Sequence, residues 1–458
     1  MNFGLLENDR LRQKGRVQTD NTIMSKTLGI GLAGFGTVGT GVWETLAQNS
    51  KLITNRTGVS FEIKRIAIRD LSKPRSKDVP QNLFTTQWED IVADDTVHLI
   101  VELIGGTTTA FDLVAAALKA KKPVITGNKA LLAERGQELF ALSREMETPI
   151  HFEAAVAGGI PIIKAVQESL VGNRIESMVG IINGTSNYIL ERMTDAGLGY
   201  PEALAEAQKL GYAEADPTLD VNGWDAAHKA ILLATLAYGF TIDANQIYVR
   251  GIERVRGIDI DFAKKMGFVV KLLCVVHEHT DGTIELRTQP SFIPQSHVLS
   301  SVNGVFNAVA VRGDAAGDSL FYGRGAGKEP TASSVVADIV EAARNISHDG
   351  PHRGFLPYQA SGQVMNIQET ETPYYVRFHV TDQPGVIARI ASELANAGIG
   401  ISGTHSPVNA NNLDADFVDM VFQLHTCKFG LLKDTLKKIE ALDCVNERPV
   451  VFRIENLG

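Results

Sequence analysis

Cysteine is scarce in this chain, and long apolar runs are missing. The 458 residues include three cysteines, an odd number that builds no disulfide framework, so a reducing cytoplasm is the expected compartment. No apolar run approaches the roughly 20 residues of a membrane helix, which argues against a membrane partner. The formal net charge is −9, and because phosphate binding needs clustered Lys and Arg, nucleic acid is not an expected partner.

The length exceeds what one hydrophobic core supports and predicts several domains. Residues 1–26 lack an apolar signal core, and we interpret them as a flexible leader or a non-native extension. Over 27–150, apolar strands alternate with helical stretches, which predicts an α/β domain with a doubly wound parallel sheet of the Rossmann type. Residues 151–345 mix helices and strands, which indicates an α+β domain for substrate binding, catalysis and dimerisation. Residues 346–373 are expected to form a linker.

The last segment, 374–458, has a pattern of its own. The strand YYVRFHV alternates as a half-buried strand does, and a helix, two strands, a second helix and a final strand follow. Asp382 is expected to cap the first of these helices and Gly398 to end it. The order βαββαβ predicts a ferredoxin-like module.

A glycine-rich turn follows the first predicted strand. In GFGTVG, the first glycine suits a tight turn, the second lets the backbone approach a pyrophosphate, and the third lets the helix pack on the strand. The turn is therefore predicted to bind a dinucleotide, and a purely structural turn is the alternative. The predicted cofactor contacts are Gly34, Phe35, Gly36, Thr37, Val38 and Gly39.

Basic residues follow the second predicted strand. It ends in Arg69 and Asp70, and Lys73 and Arg75 come shortly after. An acid at this position holds the ribose of NAD, whereas an arginine accepts the extra phosphate of NADP. The pattern favours NADP through Arg69. Binding of NAD through Asp70 is the alternative.

Two further sites carry charge in patterns that suit catalysis. Lys129 stands just beyond a strand end, where ligands of parallel sheets bind, although a surface lysine is the alternative. Asp225 and Lys229 are four residues apart in a helical stretch and so share one face. A lysine can protonate the oxygen of a carbonyl that receives a hydride, and an acid can orient that lysine. An ordinary surface salt bridge is the alternative.

The stretch from Ala207 to Lys229 resembles the signature of homoserine dehydrogenases. It matches A-x-x-x-G-Y-A-x-x-D-P-x-x-D-V-x-G-x-D-x-x-x-K at every defined position. Other segments resemble the same family: VELIGG, TGNKALLA, EAAVAGGIPI, NGTSNYIL and GRGAGKEPTAS. The resemblance implies reversible, NAD(P)H-dependent reduction of L-aspartate 4-semialdehyde to L-homoserine, a step in the biosynthesis of threonine, methionine and isoleucine.

The resemblance also implies roles for single residues. Lys229 would donate the proton, Asp225 would bind and orient the substrate, and Glu214 and Asp220 would lie at its amino group. Lys129 would contact both the cofactor and the substrate. Further implied cofactor contacts are Thr107, Gly211, Glu214 and Gly327. A sodium ion would be held, mostly by backbone carbonyls, at Glu153, Val156, Gly158 and Ile160.

The C-terminal module, with DQPGVIARI at its first turn, resembles an ACT domain. This resemblance implies an amino-acid effector, with threonine the expected inhibitor, near the turn from Asp382 to Val386. A purely oligomerising role is the alternative. A homodimer or homotetramer is expected.

Two other functions fit this sequence less well. A dehydrogenase that acts on an acyl phosphate needs a cysteine nucleophile, and Cys274 lies in the apolar run KLLCVV, where cysteine behaves as a small hydrophobe. A non-catalytic sensor would lack the pair formed by Asp225 and Lys229, and both residues are present. Both alternatives are therefore disfavoured.

Overall fold

The computed structural model describes residues 26–73, 78–347, 354–359, 361–405 and 416–457. Residues 1–25 of the predicted leader lie outside the described residues, and so does Arg75. None of the helices in the described ranges combines the length and the apolar character that a bilayer crossing requires.

The first layer is a six-stranded sheet in the order β3-β2-β1-β4-β5-β6. All of its strand pairs are parallel. Its elements are β1 (Lys26–Ala33), α1 (Thr37–Thr57), β2 (Val59–Ala67), β3 (Phe84–Thr85), α2 (Glu89–Ala93), β4 (Leu99–Glu102), α3 (Thr109–Lys119), β5 (Val124–Thr126), α4 (Lys129–Glu145) and β6 (Ile150–His151). This is the predicted Rossmann-type order, and it opens a crevice where the strand order reverses between β1 and β4. The two-residue strand β3 was not predicted.

The second part of the chain combines helices with a mixed sheet. Its elements are α5 (Ile162–Lys164), which continues as a π-helical turn (Ala165–Ser169), then β7 (Ile175–Ile181), α6 (Gly184–Asp195), α7 (Tyr200–Lys209), α8 (Thr218–Val221), α9 (Trp224–Tyr238), β8 (Tyr248–Val249), α10 (Gly257–Lys265), β9 (Phe268–Glu278), β10 (Ile284–Pro294), β11 (Phe306–Gly313), β12 (Gly317–Arg324) and α11 (Lys328–Ser347). The predicted mixture of helices and strands in this part is confirmed. Nearly every residue of α9 is buried, because this helix runs through the core.

Helix α11 returns to the first layer, although its sequence stands at the end of the second part. Its apolar side chains, including those of Val335 and Ile339, pack in one cluster with Val42 of α1 and Ile66 of β2. The chain therefore closes the nucleotide layer with a helix that comes about 180 residues after β6, as the bounds of the two elements show.

The last part has the predicted order of elements. These are β13 (Glu371–Thr381), α12 (Val386–Asn396), β14 (Ile401–His405), β15 (Phe417–Lys428), α13 (Phe429–Glu440) and β16 (Val450–Ile454). Its strands lie in the order β16-β13-β15-β14. The prediction that Asp382 caps α12 is wrong, because Gly385 is the N-cap residue, with φ 93°, and no side chain caps it. Gly398 follows the end of α12 with φ 72°, as predicted.

The module and the second part share one sheet. Strand β16 pairs in parallel with β10, with Phe292 opposite Ile454. The described strands therefore form one ten-stranded sheet in the order β12-β11-β7-β9-β10-β16-β13-β15-β14, and the tenth strand, β8, pairs with β10. The segment between them is not a free linker. Phe355 is buried, and its ring meets Phe140 and Phe152 edge-on at centroid distances of 5.5 and 5.9 Å. The predicted linker is therefore anchored to the rest of the chain at Phe355.

Buried ion pairs hold the module against the second part. Arg377 of β13 donates to Asp259 of α10 at 2.8 Å, and the Tyr375 hydroxyl donates to the same carboxylate at 2.7 Å. The side chains of Arg377 and Asp259 are 1% and 0% exposed. Arg287 of β10 donates to both carboxylate oxygens of Glu455, at 2.7 and 2.8 Å. Removing one member of such a pair leaves the other charge buried and unpaired.

We therefore expect Asp259→Ala to lower the free energy of unfolding by about 3–5 kcal/mol, measured by urea denaturation. The double variant Asp259→Leu with Arg377→Met should recover most of the loss, because apolar residues replace both charges. Asp434→Ala, which removes an exposed pair with Lys437, is the matched control and should change little. Wild-type stability of Asp259→Ala would refute this docking role.

Candidate active site

Asp225 and Lys229 lie one helical turn apart at the start of α9. The Lys229 Nζ donates to Asp225 Oδ2 at 2.6 Å and to the Ile182 carbonyl at 2.7 Å. Both side chains are 11% exposed, so the pair is buried and is not an ordinary surface salt bridge. Helix α9 can begin beside this pair because Gly223, with φ 89°, turns the chain into it.

A second lysine reaches the same carboxylate from the other layer. Lys129, the first residue of α4, places its Nζ 3.0 Å from Asp225 Oδ1. Burial opposes ionisation of Asp225, but Lys229 and Lys129 outweigh it and hold the pKa of this carboxyl far below its usual range. The charge of Asp225 in turn raises the pKa of Lys129 despite burial. The structure thus joins three of the predicted residues in one charge cluster.

Asn183 organises this cluster and was not singled out in the sequence. Its Nδ2 donates to Asp220 Oδ1 at 2.7 Å and to Asp225 Oδ2 at 2.8 Å. Its Oδ1 accepts from the Ser186 amide at 2.7 Å and so caps α6. One buried amide therefore sets the separation of two aspartates. No spacing pattern in the sequence predicts this role of Asn183.

The remaining predicted acids lie at the rim. Burial and the charge of Asp225 raise the pKa of Asp220 above its usual value. Glu214 is exposed on the loop after α7, and its charge also favours the ammonium form of Lys129. Gly211, on the same loop, is exposed with φ 75°. The acids thus form a negative rim beside two lysines.

The predicted dinucleotide turn has the close contacts that its glycines require. Gly34 has φ 98°, and a Cβ atom there would lie 2.4 Å from the Leu103 carbonyl oxygen. A Cβ at Gly39 would lie 2.2 Å from the Gly34 carbonyl oxygen, whereas the space beside Gly36 is open. Helix α1 begins at Thr37 without a side-chain cap, so its first amides remain available to an anion.

Other predicted cofactor residues surround this crevice. Arg69 is exposed just beyond β2, and Thr107 is half-buried just beyond β4. The Asp70 carboxylate accepts from the amide and the hydroxyl of Ser72, at 2.9 and 2.6 Å. Gly327, with φ 118°, precedes α11. All of these residues lie in loops that leave strand ends.

A buried acid at the end of β4 was also missed. Glu102 is fully buried, and its carboxylate accepts from the amides of Ile104 and Gly105, at 2.9 and 3.1 Å, and from the Thr126 hydroxyl at 2.6 Å. The Thr126 hydroxyl accepts from the amide of Asn128, the residue before Lys129. Glu102 thus links the crevice loop to the start of α4. An acid within the apolar run HLIVEL was the signal available in the sequence.

The loop predicted to hold sodium lies beyond β6, against the end of β12. Its carbonyl oxygens at Glu153, Gly158 and Ile160 each accept a hydrogen bond, from the Val156 amide, the Ser334 hydroxyl and the Ile162 amide. The Glu153 carboxylate accepts from the amides of residues 163 and 164, both at 2.9 Å. A Cβ at Gly158 would lie 2.3 Å from the Gly325 carbonyl oxygen, so this loop is closely packed.

Cys274 is not placed to act as a nucleophile. It is buried on β9, and its Sγ lies 3.3 Å from the Ala226 carbonyl and 3.2 Å from the Thr288 hydroxyl. Burial raises the pKa of this thiol to about 12. A nucleophilic cysteine needs the thiolate form. Cys274 therefore does not support the alternative of a dehydrogenase that acts on an acyl phosphate.

Comparison with known proteins decides the family. A family model described as "Homoserine dehydrogenase" matches residues 161–340, and one described as "Homoserine dehydrogenase, NAD binding domain" matches 34–153. The homoserine dehydrogenase of Pseudomonas aeruginosa is 42% identical over 439 residues, which cover 94% of this chain and 100% of the relative. The chain belongs to the homoserine dehydrogenase family. It is therefore an NAD(P)-dependent oxidoreductase, as predicted.

Other relatives agree over most of the chain. The homoserine dehydrogenase of Neisseria gonorrhoeae is 41% identical over 94% of this chain and 99% of its own. The crystal structure of a homoserine dehydrogenase from Thiobacillus denitrificans has a TM-score of 0.87 and 40% identity, and the match covers 95% of this chain and 99% of that one. A hyperthermophilic archaeal homoserine dehydrogenase, solved in complex with NADPH, has a TM-score of 0.61 and 27% identity over 71% of this chain and 100% of its own.

In this member of the homoserine dehydrogenase family, Asn183→Ser separates the two contributions of the asparagine. Serine still caps α6, but it cannot donate to both aspartates. We expect kcat/KM to fall about 10- to 100-fold, since each lost bond joins an amide to a charged group. The melting temperature should stay close to that of the wild type.

Asn366→Ser is the matched control, because Asn366 caps a remote 3₁₀ turn in the same way. It should leave kcat/KM unchanged. If both variants keep full activity, the bridge between Asp220 and Asp225 does not matter for the reaction.

Proposed function

We propose that the chain reduces L-aspartate 4-semialdehyde to L-homoserine, reversibly, as a step in the biosynthesis of threonine, methionine and isoleucine. The observation that carries this proposal is the Asp225 carboxylate held between Lys229 and Lys129. A buried ammonium aligned by a carboxylate is a suitable proton donor for a carbonyl oxygen that becomes an alkoxide. The three unpaired cysteines agree with a reducing cytoplasm.

In the proposed mechanism Lys229 is the general acid. Its ammonium donates one proton to the aldehyde oxygen, while Asp225 and the Ile182 carbonyl fix the direction of its Nζ. In the reverse direction the neutral amine of Lys229 accepts the hydroxyl proton of homoserine. Lys129 neutralises the second oxygen of Asp225 and so keeps this carboxylate from competing for the transferred proton.

Charge complementarity supports the proposed binding of an amino-acid substrate. We assign Glu214 and Asp220 to its ammonium group, because both acids lie at the rim of the cluster, within the influence of Lys129. Lys129 is assigned to the substrate as well as to the cofactor. Asp225 then binds and orients the substrate through its contact with both lysines.

The cofactor we propose is NADP, with NAD as the alternative. When bound, the reduced nicotinamide supplies the hydride that reduces the aldehyde carbon. The open space at Gly36 and the uncapped start of α1 fit a pyrophosphate. Exposed Arg69 is assigned to the extra phosphate, since Asp70 is already engaged by Ser72. The proposed remaining contacts are Gly34, Phe35, Thr37, Val38, Gly39, Thr107, Gly211, Glu214 and Gly327.

The loop from Glu153 to Ile160 is our proposed sodium site. Ala157 and Gly158 both have positive φ, 54° and 56°, so consecutive carbonyls of this loop change direction sharply. Oxygen atoms of this kind suit a hard cation. Sodium would stabilise the junction of the two layers, and a melting temperature that does not differ between sodium and choline chloride would rule this out.

We propose that residues 374–458 form an ACT-type regulatory domain that answers to an amino acid, with threonine the expected inhibitor. The strand order of the module supports this assignment. The domain bounds that follow are 27–150 for the dinucleotide, 151–345 for the substrate and 374–458 for regulation. A dimer or a tetramer, formed through the substrate domain, is proposed on the same basis.

Replacing Lys229 with alanine tests the mechanism. We expect kcat for reduction of aspartate semialdehyde to fall at least about 100-fold, because the general acid is lost, with a much smaller change in KM. The readout is NADPH absorbance at a series of substrate concentrations. Lys209→Ala, at an exposed end of α7, is the control and should keep wild-type kcat. A change confined to KM would make Lys229 a binding residue instead.

Arg69→Gln tests the cofactor assignment. The variant should lose about 10- to 100-fold in kcat/KM with NADPH and little with NADH, because only NADPH carries the phosphate that the guanidinium meets. The measurement is the ratio of kcat/KM for the two cofactors. Arg56→Gln, at the far end of α1, is a control with no expected effect on this ratio. Equal losses with both cofactors would contradict phosphate recognition by Arg69.

A further inference from the structure

A cavity of about 90 Å³ lies between the catalytic part of the chain and the C-terminal module. The segment after β8 forms one wall, β10 contributes Pro290, and the start of β16 forms the opposite wall. This volume has room for several water molecules or for one small organic molecule. The cavity is therefore placed where a ligand would touch both parts of the chain.

Two arginines, Arg250 and Arg254, line this cavity, and neither forms a salt bridge among the described residues. Arg254 donates to the Arg448 carbonyl, and Arg250 approaches the Val451 carbonyl at 3.5 Å. Burial, and then the charges of Arg250, Arg448 and Arg377, lower the pKa of Arg254, and the charge of Glu447 opposes them. Arg256, two residues further on, differs because it pairs with Asp419 and Glu447. An anion between Arg250 and Arg254 would relieve the repulsion between their guanidinium groups.

The rest of the lining supplies the two other features that an amino acid requires. Glu253 lines the same cavity, and none of the salt bridges among the described residues includes it. The apolar walls include Val255, Val450 and Phe452. Cationic, anionic and apolar groups thus meet around a space of the size of a small molecule.

We propose that this cavity binds a free L-amino acid with a short side chain. Its carboxylate lies between Arg250 and Arg254, its ammonium group meets Glu253, and its side chain contacts the apolar wall at Phe452. This site is separate from the turn at Asp382 to which the resemblance assigned the effector. The proposal rests on the proposed regulation and gives that regulation a location.

The cavity wall is attached to the substrate side of the active site. The Ile252 amide donates to the Val221 carbonyl at 2.8 Å, and a Cβ at Gly251 would lie 2.2 Å from the same oxygen. Val221 directly follows Asp220 in α8. A ligand that moves this wall must therefore move α8, so occupancy is expected to raise the KM for the semialdehyde more than it lowers kcat.

Calorimetric titration of the full chain with L-threonine, and with its isostere L-valine, tests the proposal. Arg254→Gln and Arg250→Gln should each raise the Kd about 10- to 100-fold, because a hydrogen bond between charged groups is lost. Both variants should keep the basal kcat and KM. N-acetyl-L-threonine, which lacks the ammonium group, and inorganic phosphate should bind far more weakly than threonine.

Arg256→Gln is the matched control, since it removes a nearby arginine that does not line the cavity, and it should keep the wild-type Kd. Wild-type affinity in Arg254→Gln and Arg250→Gln, with loss of binding in Asp382→Asn, would place the effector at the turn and overturn the proposal. Phosphate binding as tight as threonine would reduce the cavity to an anion site. The proposal would also be overturned if neither threonine nor valine bound to the wild-type chain. The NADPH assay would still test the proposed dehydrogenase activity independently of this result.

Discussion

The Asp225 carboxylate, shared by Lys229 and Lys129, is the interaction on which the catalytic core depends. Taking the carboxylate of Asp225 and the ammonium group of Lys229 out of water costs several kcal/mol per ion, and only close contacts offset this cost. Lys129 comes from the nucleotide layer and the other two residues from α9. The two layers must therefore keep a fixed relative position, because a shift of a few ångströms would leave a buried charge unpaired.

The neighbouring polar groups are explained by the same constraint. Asn183 holds Asp220 and Asp225 apart by one amide nitrogen, and Glu102 ties the crevice loop to the start of α4, which carries Lys129. Each of these side chains has at least one hydrogen bond to a group on another element. Buried networks of this kind specify one arrangement, because any other arrangement leaves a polar group without a partner.

The sequence predicted those parts of the site that have a local pattern. The spacing of Asp225 and Lys229 placed them on one helical face, and the glycines of residues 34–39 placed the dinucleotide turn. Contacts between distant segments could not be predicted in this way. Lys129 contacts Asp225 although almost one hundred residues separate them in the sequence. Asn183 has the sequence context of an ordinary helix N-cap, so its contacts with the two aspartates could not be predicted. The capping of α12 was predicted wrongly because an aspartate near a helix start competes with a glycine at the N-cap position.

The same limit applied to the C-terminal module, whose internal order was predicted while its attachment was not. Parallel pairing of β16 with β10 joins strands more than 150 residues apart, and hydrophobic alternation carries no information about such partners. The attachment matters because β10 has two faces. Arg287 points to Glu455 of the module, whereas the next residue, Thr288, contacts Cys274, which in turn lies against Ala226 of α9. One strand therefore contacts both the module and the helix that carries Asp225 and Lys229. A displacement of the module must then either strain this helix or bend β10 between Arg287 and Thr288.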